Sequence, residues 1–599
     1  MGSAKAGRSG LGRRGRGVGI MVMIGMGWLL GGWPGELSRV EGKRQVSMPI
    51  TSSASLQALA DAQALQARVD QLFAAWDRPD SPGCALGVIR DGRLIYARGY
   101  GMANLEHAIP ITPQTVFDIG STSKQFTAAS ILLLEQQGKL SLDDDIRRFV
   151  PEIPEYDRPI TIRHLLHHTG GLRDYLTLMA LAGIPFDGVT TEEDALRLIA
   201  RQKGLNFTPG EEYLYSNSGY FLLSIIVKRA SGKSLREFAE EHIFRPLGMR
   251  STHFHDDHTR IVPRRATGYA PAPGGGFRIH MSQFEQTGDG ALMTTIEDLA
   301  RWDANFYEPQ VGGPELIQRL LTPGRLANGE MLRYAGGLVR DTYRGLTMIH
   351  HGGSWAGYRA EFLRFPEQRF SVICLCNLSA INPTVLARRV ADLYLASVFP
   401  EPAPSTERAH LSEPELAARV GIYRNLKTGA LVRLLQRGST FSLEAFGSNL
   451  ELKPIAKDRF QLTGAPFSAE LVFEGGRVER SERGPLVRFQ LLRPNRPPEV
   501  YEELSPVTLP PERLLEYAGT YESEELDAVY VIARQGEGLI VHARGIPASP
   551  LQHLREDDFL SLTGLHYQFR RDAQGRITGF VLNAGRARGL WFARRSSGS

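Results

Sequence analysis

The feature that most limits the possible folds is an internal repeat in the last third of the 599-residue chain. Gly421-Ile-Tyr423 recurs 98 residues later as Gly519-Thr-Tyr521, and Gly476-Arg-Val478 recurs 99 residues later as Gly575-Arg-Ile577. Between these anchors lie short alternating strand-like runs with glycine-containing turns, which is the pattern of a small antiparallel barrel. Coincidence among glycine- and tyrosine-rich turns is the alternative. Two anchors at nearly constant spacing favour two copies of one all-β unit.

The chain before this repeat has the pattern of a mixed domain. Residues 84–90 and 93–98 are strand-like runs joined by Asp91-Gly92, a strong hairpin signal because both turn residues need positive φ. A helical pattern over 55–77 comes first, and a mostly helical middle follows. Strand-like runs return at 334–339, 346–350, 360–365 and 370–376. Strands at both ends with helices between them predict one antiparallel sheet assembled from distant segments and flanked by helices.

Proline-rich linkers at 400–404 and 505–511 separate these regions. A chain of this length is too long for one hydrophobic core. The predicted fold class is an α+β domain followed by two all-β barrel-like domains. We expect a signal or targeting segment with its linker (1–48), the α+β domain (55–398) and the two barrel-like domains (405–503 and 509–599).

Residues 1–48 carry most of the positive charge. They hold eight basic and two acidic residues, whereas the whole chain has a net charge of +5, so the remainder is near neutral. That balance gives no case for nucleic-acid binding. The apolar stretch 18–33 after the basic residues is typical of a secretory signal, with a start at Met21 or Met48 as the alternative. We expect a periplasmic or secreted protein, tethered to the membrane through 18–33 if the segment is not cleaved.

The three cysteines are too few for a disulfide framework. Cys374 and Cys376 lie two residues apart in an apolar strand-like run, and neighbours at that spacing rarely form a bridge. Cys84 lies in a similar run. We therefore interpret all three as small, buried apolar side chains.

Ser121-Thr-Ser-Lys124 is the only S-x-x-K sequence in the chain. On a helix, positions i and i+3 share a face, so the lysine amine can approach the serine hydroxyl. Serine is a weak nucleophile until a neighbouring base takes its proton, and a buried lysine can do so. We predict Ser121 as the nucleophile and Lys124 as a proton-transfer partner. In isolation, the same motif also suits a helix N-cap followed by a solvated lysine.

Two further motifs supply complementary groups. In Tyr215-Ser-Asn217, a tyrosine hydroxyl beside a protonated lysine can be held as phenolate and serve as general base, and the asparagine amide can hold both the lysine and a substrate carbonyl. In His351-Gly-Gly353, the glycines allow the backbone to approach a ligand closely. The N–H of Ser354, just beyond, is a candidate second donor to an oxyanion.

Each of these motifs is weak alone. Other matches to the last two patterns are Tyr423-Arg-Asn425, His350-His-Gly352 and His168-Thr-Gly170. His164, His167 and His168 are close in sequence, but no cysteine or carboxylate at ligand spacing accompanies them. We expect neither a metal ion nor a cofactor.

Together and in this order, the three motifs resemble the serine beta-lactamase-like (penicillin-recognising) family, which includes class C beta-lactamases, DD-carboxypeptidases, D-aminopeptidases and esterases. The resemblance covers residues 55–398. It implies catalytic roles for Ser121, Lys124 and Tyr215. It also implies substrate or oxyanion contacts for the residues Asn217, His351, Gly353 and Ser354. Gly357-Tyr358 follows at the family's spacing, which favours His351 over His350 as the motif residue.

One departure from the family concerns charge. Many members have Lys-Thr-Gly where this chain has His-Gly-Gly, and a mostly neutral histidine recognises a substrate carboxylate less well than a permanent cation. His-x-Gly with two barrel-like units is similar to the D-aminopeptidases. We therefore expect a serine peptidase or amidase that acts through an acyl-enzyme on small peptides. The alternatives are an esterase or beta-lactamase on the same site, or a non-catalytic muropeptide-binding protein. The sequence leaves the oligomeric state open, and the resemblance to D-aminopeptidases implies that at least one barrel packs near the active-site mouth.

Overall fold

The computed structural model describes residues 53–400, 411–427, 429–445, 448–463, 469–474, 487–493, 496–504, 509–555 and 557–595. The expected targeting segment 1–48 and the repeat anchor Gly476-Arg-Val478 lie outside the described residues. Residues 61–599 form one compact unit. Within the described part of the chain, no helix combines the length and apolarity needed to cross a membrane.

A six-stranded antiparallel sheet is the centre of the catalytic domain. Its strands are β1 (Cys84–Arg90), β2 (Arg93–Tyr100), β3 (Val339–Tyr343), β4 (Leu346–Trp355), β5 (Tyr358–Phe365) and β6 (Phe370–Cys376). Their order is β3-β4-β5-β6-β1-β2, so the first hairpin pairs with the last strand. The expected hairpin turn is present, with φ of 51° at Asp91 and 73° at Gly92. The expectation of a strand over 334–339 is wrong, because Gly337 has φ of 72° and only Tyr334 and Val339 form an isolated bridge.

Helices cover both faces of this sheet. Successive strand residues point to opposite faces, so Val372 and Cys374 pack with Val390, whereas Ile373 and Trp302 belong to the core on the other side. The helices of the domain are Ser53–Phe73, Lys124–Gln136, Ile162–Leu166, Tyr175–Leu181, Glu192–Ala200, Asn217–Ser231, Leu235–Ala239, Ile296–Ala304, Gly313–Leu320 and Pro383–Tyr394. Short strands outside the sheet are Met102–Asn104, Ile109–Pro110, Phe117–Asp118, Val189–Thr190, His253–Phe254, Tyr269–Pro271, Phe277–Ile279, Gln283–Phe284 and Leu292–Thr294.

The helix ends follow the sequence signals with one correction. Gly138 and Gly232 follow the helices Lys124–Gln136 and Asn217–Ser231 with φ of 67° and 76°, the left-handed conformation that glycine adopts easily. The sequence Thr295-Ile-Glu-Asp298 has the residue types of a capping box, but only half of the box is formed. The Asp298 N–H donates to the Thr295 hydroxyl, but the Asp298 carboxylate accepts hydrogen bonds from residues 251 and 252 instead.

Each of the last two domains is a closed eight-stranded barrel. The first has strands Gly421–Asn425, Leu431–Arg437, Thr440–Ala445, Ser448–Ala456, Arg459–Leu462, Glu470–Phe473, Arg488–Leu492 and Glu499–Leu504, after the short helix Glu413–Ala417. The second has strands Gly519–Ser523, Ala528–Gln535, Gly538–Ala543, Ile546–Arg555, Asp558–Ser561, His566–Arg571, Ile577–Ala584 and Ala587–Arg594, after the short helix Pro511–Leu514.

The repeated Gly-x-Tyr motif begins the first strand of each barrel. Tyr423 and Tyr521 are fully buried, and each hydroxyl donates to the carbonyl oxygen four residues earlier, in Arg419 and Tyr517 respectively. The repeat therefore marks the same structural position in two copies of one unit. The predicted fold class, an α+β domain followed by two barrels, is confirmed.

Cys84 and Cys376 form a disulfide between β1 and β6. The two residues are register partners in the antiparallel pair, with Cα atoms 4.0 Å apart, although 292 residues separate them in sequence. The interpretation of all three cysteines as unpaired is therefore wrong for this pair, and Cys374 alone is a buried free thiol. Spacing along the chain could not reveal the bond because strand register creates it.

Both barrels contact the catalytic domain. From the second barrel, the Tyr530 hydroxyl donates to the Leu181 carbonyl oxygen at 2.9 Å. From the first, Arg493 and Arg496 form ion pairs with the buried Glu330 at 3.1 and 2.8 Å. The barrels are therefore docked on the domain that holds the sequence motifs.

Candidate active site

Ser121 lies in a 3₁₀ turn, Gly120–Ser123, that leads directly into the helix Lys124–Gln136. The Gly120 N–H donates to the Asp118 carboxylate at 2.7 Å, and the Ser123 hydroxyl donates to the Gly120 carbonyl oxygen at 2.5 Å. A 3₁₀ turn has three residues per turn, so it aligns positions i and i+3. This local geometry places the Lys124 side chain against the Ser121 hydroxyl.

The Lys124 ammonium is completely buried and bound by three acceptors. Its Nζ lies 3.0 Å from Ser121 Oγ, 2.9 Å from Asn217 Oδ1 and 2.5 Å from the Asp289 carbonyl oxygen. An ammonium has three N–H donors, so each is used, one of them on the serine. The arrangement fixes the amine within proton-transfer distance of the nucleophile.

Tyr215 presents its ring to the lysine. Lys124 Nζ lies 4.9 Å from the Tyr215 ring centroid and 5.6 Å from that of Tyr220, which is cation–π distance. The centroid of the His168 ring lies 4.2 Å from that of the Tyr215 ring, so the two rings are in contact. The Tyr215 hydroxyl has no hydrogen-bond partner among the described residues, so its role as general base stays a prediction.

Asn217 begins the helix Asn217–Ser231. Its backbone N–H donates to the Asp174 carboxylate at 2.6 Å, and its side-chain oxygen accepts from Lys124. Two anchored atoms fix the orientation of the amide. In the described part of the chain its Nδ2 group has no partner, so it can donate to a substrate carbonyl.

Strand β4 presses its backbone against the nucleophile turn. A Cβ atom at Gly353 would lie 1.8 Å from the Ile119 carbonyl oxygen, so only glycine fits. A Cβ atom at Gly120 would lie 2.7 Å from the Ser354 nitrogen. The Ser354 N–H is therefore next to the turn that carries Ser121, where a second oxyanion donor is required.

His351 is buried on the same strand and is neutral. Its Nδ1 donates to the Gly352 carbonyl oxygen at 2.7 Å, and its Nε2 accepts from the Tyr334 hydroxyl at 3.1 Å. Burial, and then the Lys124 charge, lower the pKa of His351 to about 4. Its carbonyl oxygen accepts from Thr122 Oγ1 at 3.0 Å, which ties β4 to the nucleophile turn.

All seven predicted site residues except Lys124 line one open cavity of about 1810 Å³, and Lys124 lies directly behind its wall. Both barrels contribute to the wall. Asn449, Glu451 and Lys453 come from the first barrel, and Arg586 comes from the second. These barrel residues carry no motif, and no sequence signal connected them to the site.

Two buried carboxylic acids in the cavity wall were also missed. Burial raises the pKa of Asp118 to about 7, against the opposing effect of the Gly120 N–H. Burial likewise raises the pKa of Asp289 to about 6, although the Lys124 charge lowers it. Only their positions in the sequence could have indicated them. Asp118 lies three residues before Ser121, and Asp289 lies between two glycines.

The alternative motif matches lie elsewhere or have structural contacts. Tyr423 and Asn425 belong to the first barrel, and His168 Nδ1 accepts from the Ser216 N–H. Among the described residues, two groups bring three possible metal ligands together, namely the three cysteines and the set Asp257, His258 and Glu285. Neither group includes a motif residue, and the expected absence of a metal stays a prediction.

Comparison with known proteins agrees with this geometry. The beta-lactamase family matches residues 64–396, so the chain belongs to the beta-lactamase family, and it is a serine hydrolase. A domain of unknown function, DUF3471, matches residues 504–594, which contain the second barrel.

Three similar proteins illustrate the relationship. A D-aminopeptidase of Gluconobacter oxydans is 29% identical over 478 residues, which cover 80% of this chain and 85% of that protein. Penicillin-binding protein 4* of Bacillus subtilis is 29% identical over 405 residues, or 63% of this chain and 87% of that protein. The solved octameric penicillin-binding protein homologue of Pyrococcus abyssi has a TM-score of 0.52 and 26% identity, covering 74% of this chain and all of that one.

Proposed function

We propose that this protein hydrolyses small peptides or amides through an acyl-enzyme formed on Ser121. The observation that carries the proposal is the 3.0 Å contact between Lys124 Nζ and Ser121 Oγ, with Asn217 holding the same amine. The neutral form of this amine has a lone pair that can accept the hydroxyl proton as the oxygen attacks a carbonyl carbon, whereas the ammonium form only donates to the oxygen.

The reaction divides into two steps. Ser121 Oγ attacks the scissile carbonyl, and its proton passes to the Lys124–Tyr215 pair, in which Tyr215 protonates the leaving amine. The tetrahedral oxyanion accepts hydrogen bonds from the N–H groups of Ser121 and Ser354. A water molecule then attacks the ester carbonyl and gives a proton to the pair, which passes a proton to Ser121 Oγ as the acyl C–O bond breaks and the acid is released. Asn217 donates to the carbonyl next to the scissile bond.

The substrate class follows from the relatives and from the cavity. D-Aminopeptidases of several bacteria resemble this chain over regions that include the barrels, with 26–29% identity. We infer that short peptides with D-residues are substrates. Because segments from both barrels line the cavity, long chains would meet the barrels, which favours short substrates.

The test compares Ser121→Ala with Ser130→Ala, since Ser130 lies in the helix that directly follows Ser121 and, among the described residues, its hydroxyl bonds only to the Phe126 carbonyl oxygen. Ser121→Ala should lose fluorophosphonate labelling and all turnover, whereas Ser130→Ala should retain both. The substrate panel should contain D- and L-dipeptides, amino-acid amides, esters and a beta-lactam. Faster ester or beta-lactam turnover would replace the peptidase assignment, and labelling without turnover of any substrate would indicate a binding protein.

We also propose that the protein is exported. The basic head and the apolar stretch 18–33 motivate this, and the Cys84–Cys376 disulfide supports it, because such bonds persist in oxidising compartments. The whole chain fused to a periplasm-dependent reporter should be active outside the cytoplasm, and deletion of residues 1–48 should retain it inside. Equal distribution of both forms would reject the proposal.

A further inference from the structure

Arg586 lies in the turn between the last two strands of the second barrel, and this turn is fixed on the catalytic domain. The Arg586 carbonyl oxygen accepts from the Asp174 N–H at 3.1 Å and from Asn206 Nδ2 at 3.0 Å. Asp174 in turn accepts from the Asn217 N–H. Asp174 therefore connects the turn directly to Asn217, a predicted site residue.

The Arg586 side chain enters the active-site cavity. Its guanidinium carbon lies 4.9 Å from the Tyr215 ring centroid, the same distance as Lys124 Nζ. The two cations are thus no further apart than twice that distance. A group bound by Arg586 would therefore lie within a few residues of a carbonyl attacked by Ser121.

This guanidinium has no anionic partner in the described part of the protein. Its Nε is buried without a hydrogen bond, and no carboxylate among the described residues forms an ion pair with Arg586. The neighbouring Arg588 differs, since it pairs with Glu212 at 3.3 Å. A partly buried charge without a partner is unfavourable, so an anion bound from solution would relieve that cost.

The surrounding wall does not neutralise the charge. Eight Lys or Arg side chains and four Asp or Glu side chains line the cavity. Asp341 is paired with Arg333. Burial raises the pKa of Asp118 and of Asp289, so both hold a proton more readily than ordinary carboxyls. His351 is neutral, so Arg586 supplies a fixed positive charge beside Tyr215 that the described carboxylates leave unpaired.

We propose that Arg586 binds a free carboxylate of the substrate, so that the preferred substrates are short peptides with a carboxylate close to the scissile bond. This rests on the proposed acyl-enzyme function and narrows its substrate class. The planar guanidinium matches a carboxylate with two parallel hydrogen bonds. The same positive charge repels an ammonium group, so a free amino terminus at this position is disfavoured.

The first test measures kcat/KM of the full chain for N-acetyl-D-alanyl-D-alanine and for its C-terminal amide. Arg586→Gln should lower kcat/KM for the acid by about tenfold or more and change that for the amide by less than about twofold. Arg586→Lys should retain part of the preference. The control Arg588→Gln, from the strand that follows the turn, should leave the ratio unchanged. Equal losses of kcat/KM for the acid and the amide would indicate that Arg586 acts through Tyr215 and not on the substrate carboxylate, and would overturn the proposal.

The second test does not require turnover. Calorimetric titration of the Ser121→Ala variant with the acid and the amide measures recognition alone. The acid should bind at least about tenfold more tightly, and the additional Arg586→Gln substitution should remove the difference. Acid and amide of equal affinity would overturn the proposal even if the wild-type protein hydrolyses peptides. Failure of hydrolysis with a clear preference for the acid would reject the proposed function and retain the carboxylate site.

Discussion

The Arg173 guanidinium and the Glu525 carboxylate form an ion pair, 2.5 Å long, between the catalytic domain and the second barrel. The side chains are only 3% and 6% exposed. Arg173 also donates to the carbonyl oxygens of Arg588 and Gly589. The Arg173 side chain thus contacts two parts of the second barrel. One is the segment after its first strand, and the other is the strand that directly follows Arg586.

Glu525→Gln should destabilise the protein by about 3–5 kcal/mol, because removing one partner of a buried pair leaves the other charge uncompensated. Thermal or denaturant unfolding measures this change. Glu524→Gln is the matched control, since Glu524 pairs with Lys203 in solvent, and it should have no measurable effect. Similar stability for both variants would show that the buried pair does not hold the barrel.

Lys124→Ala and Tyr215→Phe should each lower kcat by more than about 100-fold, the lower range for a general acid–base group. If both side chains belong to one proton relay, the double variant should be little worse than either single variant. Steady-state kinetics on the best substrate of the panel checks this. Losses that multiply in full would exclude a shared relay.

His351→Lys should shift preference further towards substrates with a carboxylate, because it replaces a neutral ring with a fixed charge in the same cavity. The measurement is the ratio of kcat/KM for acid and amide forms of one peptide. His351→Gln, which stays neutral, should leave this ratio near the wild-type value. An unchanged ratio in His351→Lys would count against the charge argument.

Stability should depend on pH with opposite signs at two buried groups. The pKa of His351 is lowered from 6.5 to about 4, so between these two pH values the unfolded chain binds a proton that the folded protein excludes. The stability that the protein has with neutral His351 is therefore fully present above pH 6.5 and decreases as pH falls to about 4. The pKa of Asp118 is raised from 3.8 to about 7, so its effect on stability becomes less favourable as pH rises through that range.

Unfolding free energies measured at about pH 4.5, 5.5 and 7 report both effects. As pH falls, the unfolding free energy of His351→Gln should decrease less than that of the wild type. As pH rises, the unfolding free energy of Asp118→Asn should increase relative to that of the wild type. A difference of one between the folded and unfolded pKa values of a group contributes at most about 1.4 kcal/mol. Parallel pH profiles for all three proteins would contradict the assigned burial effects.

Cys84→Ser should lower the free energy of unfolding by about 2–5 kcal/mol, since the bond joins strands from distant parts of the chain. The unfolding temperature of the wild type should fall with a reducing agent, and that of Cys84→Ser should not. Cys374→Ser, which leaves the disulfide intact, should remain sensitive to reduction. Insensitivity of the wild type to complete reduction would mean that the bond adds no stability.

Local signals were enough to predict much of the fold. Asp91-Gly92, the helix-terminating glycines and the Gly-x-Tyr repeat each require a particular backbone conformation or mark a repeated position, so they are visible within a few residues. The site motifs were also readable, because Ser121 and Lys124 meet within one turn. Their predicted catalytic roles still await the variants above.

Contacts between distant segments were not predictable in this way. The Cys84–Cys376 bond depends on which strands become neighbours, and Asp298 bonds to residues 251 and 252 instead of completing its own cap. Glu525 follows other acidic residues in a polar segment, as a solvated turn does, yet it is buried against Arg173. Arg586 has no motif at all, because its environment is created by docking of the barrel.

The wall of the cavity extends in sequence from Asp118 to Arg586, which has a consequence for biosynthesis. A ribosome releases the Ser121–Lys124 pair early, while the barrel residues that line the same cavity are still untranslated. During synthesis the nascent polypeptide therefore lacks the complete substrate-selective site. A nonsense mutation or a protease cut between the two barrels would leave a nucleophile-bearing fragment without Arg586. Such a fragment would keep the catalytic groups of the whole enzyme, but we expect its substrate preference to differ.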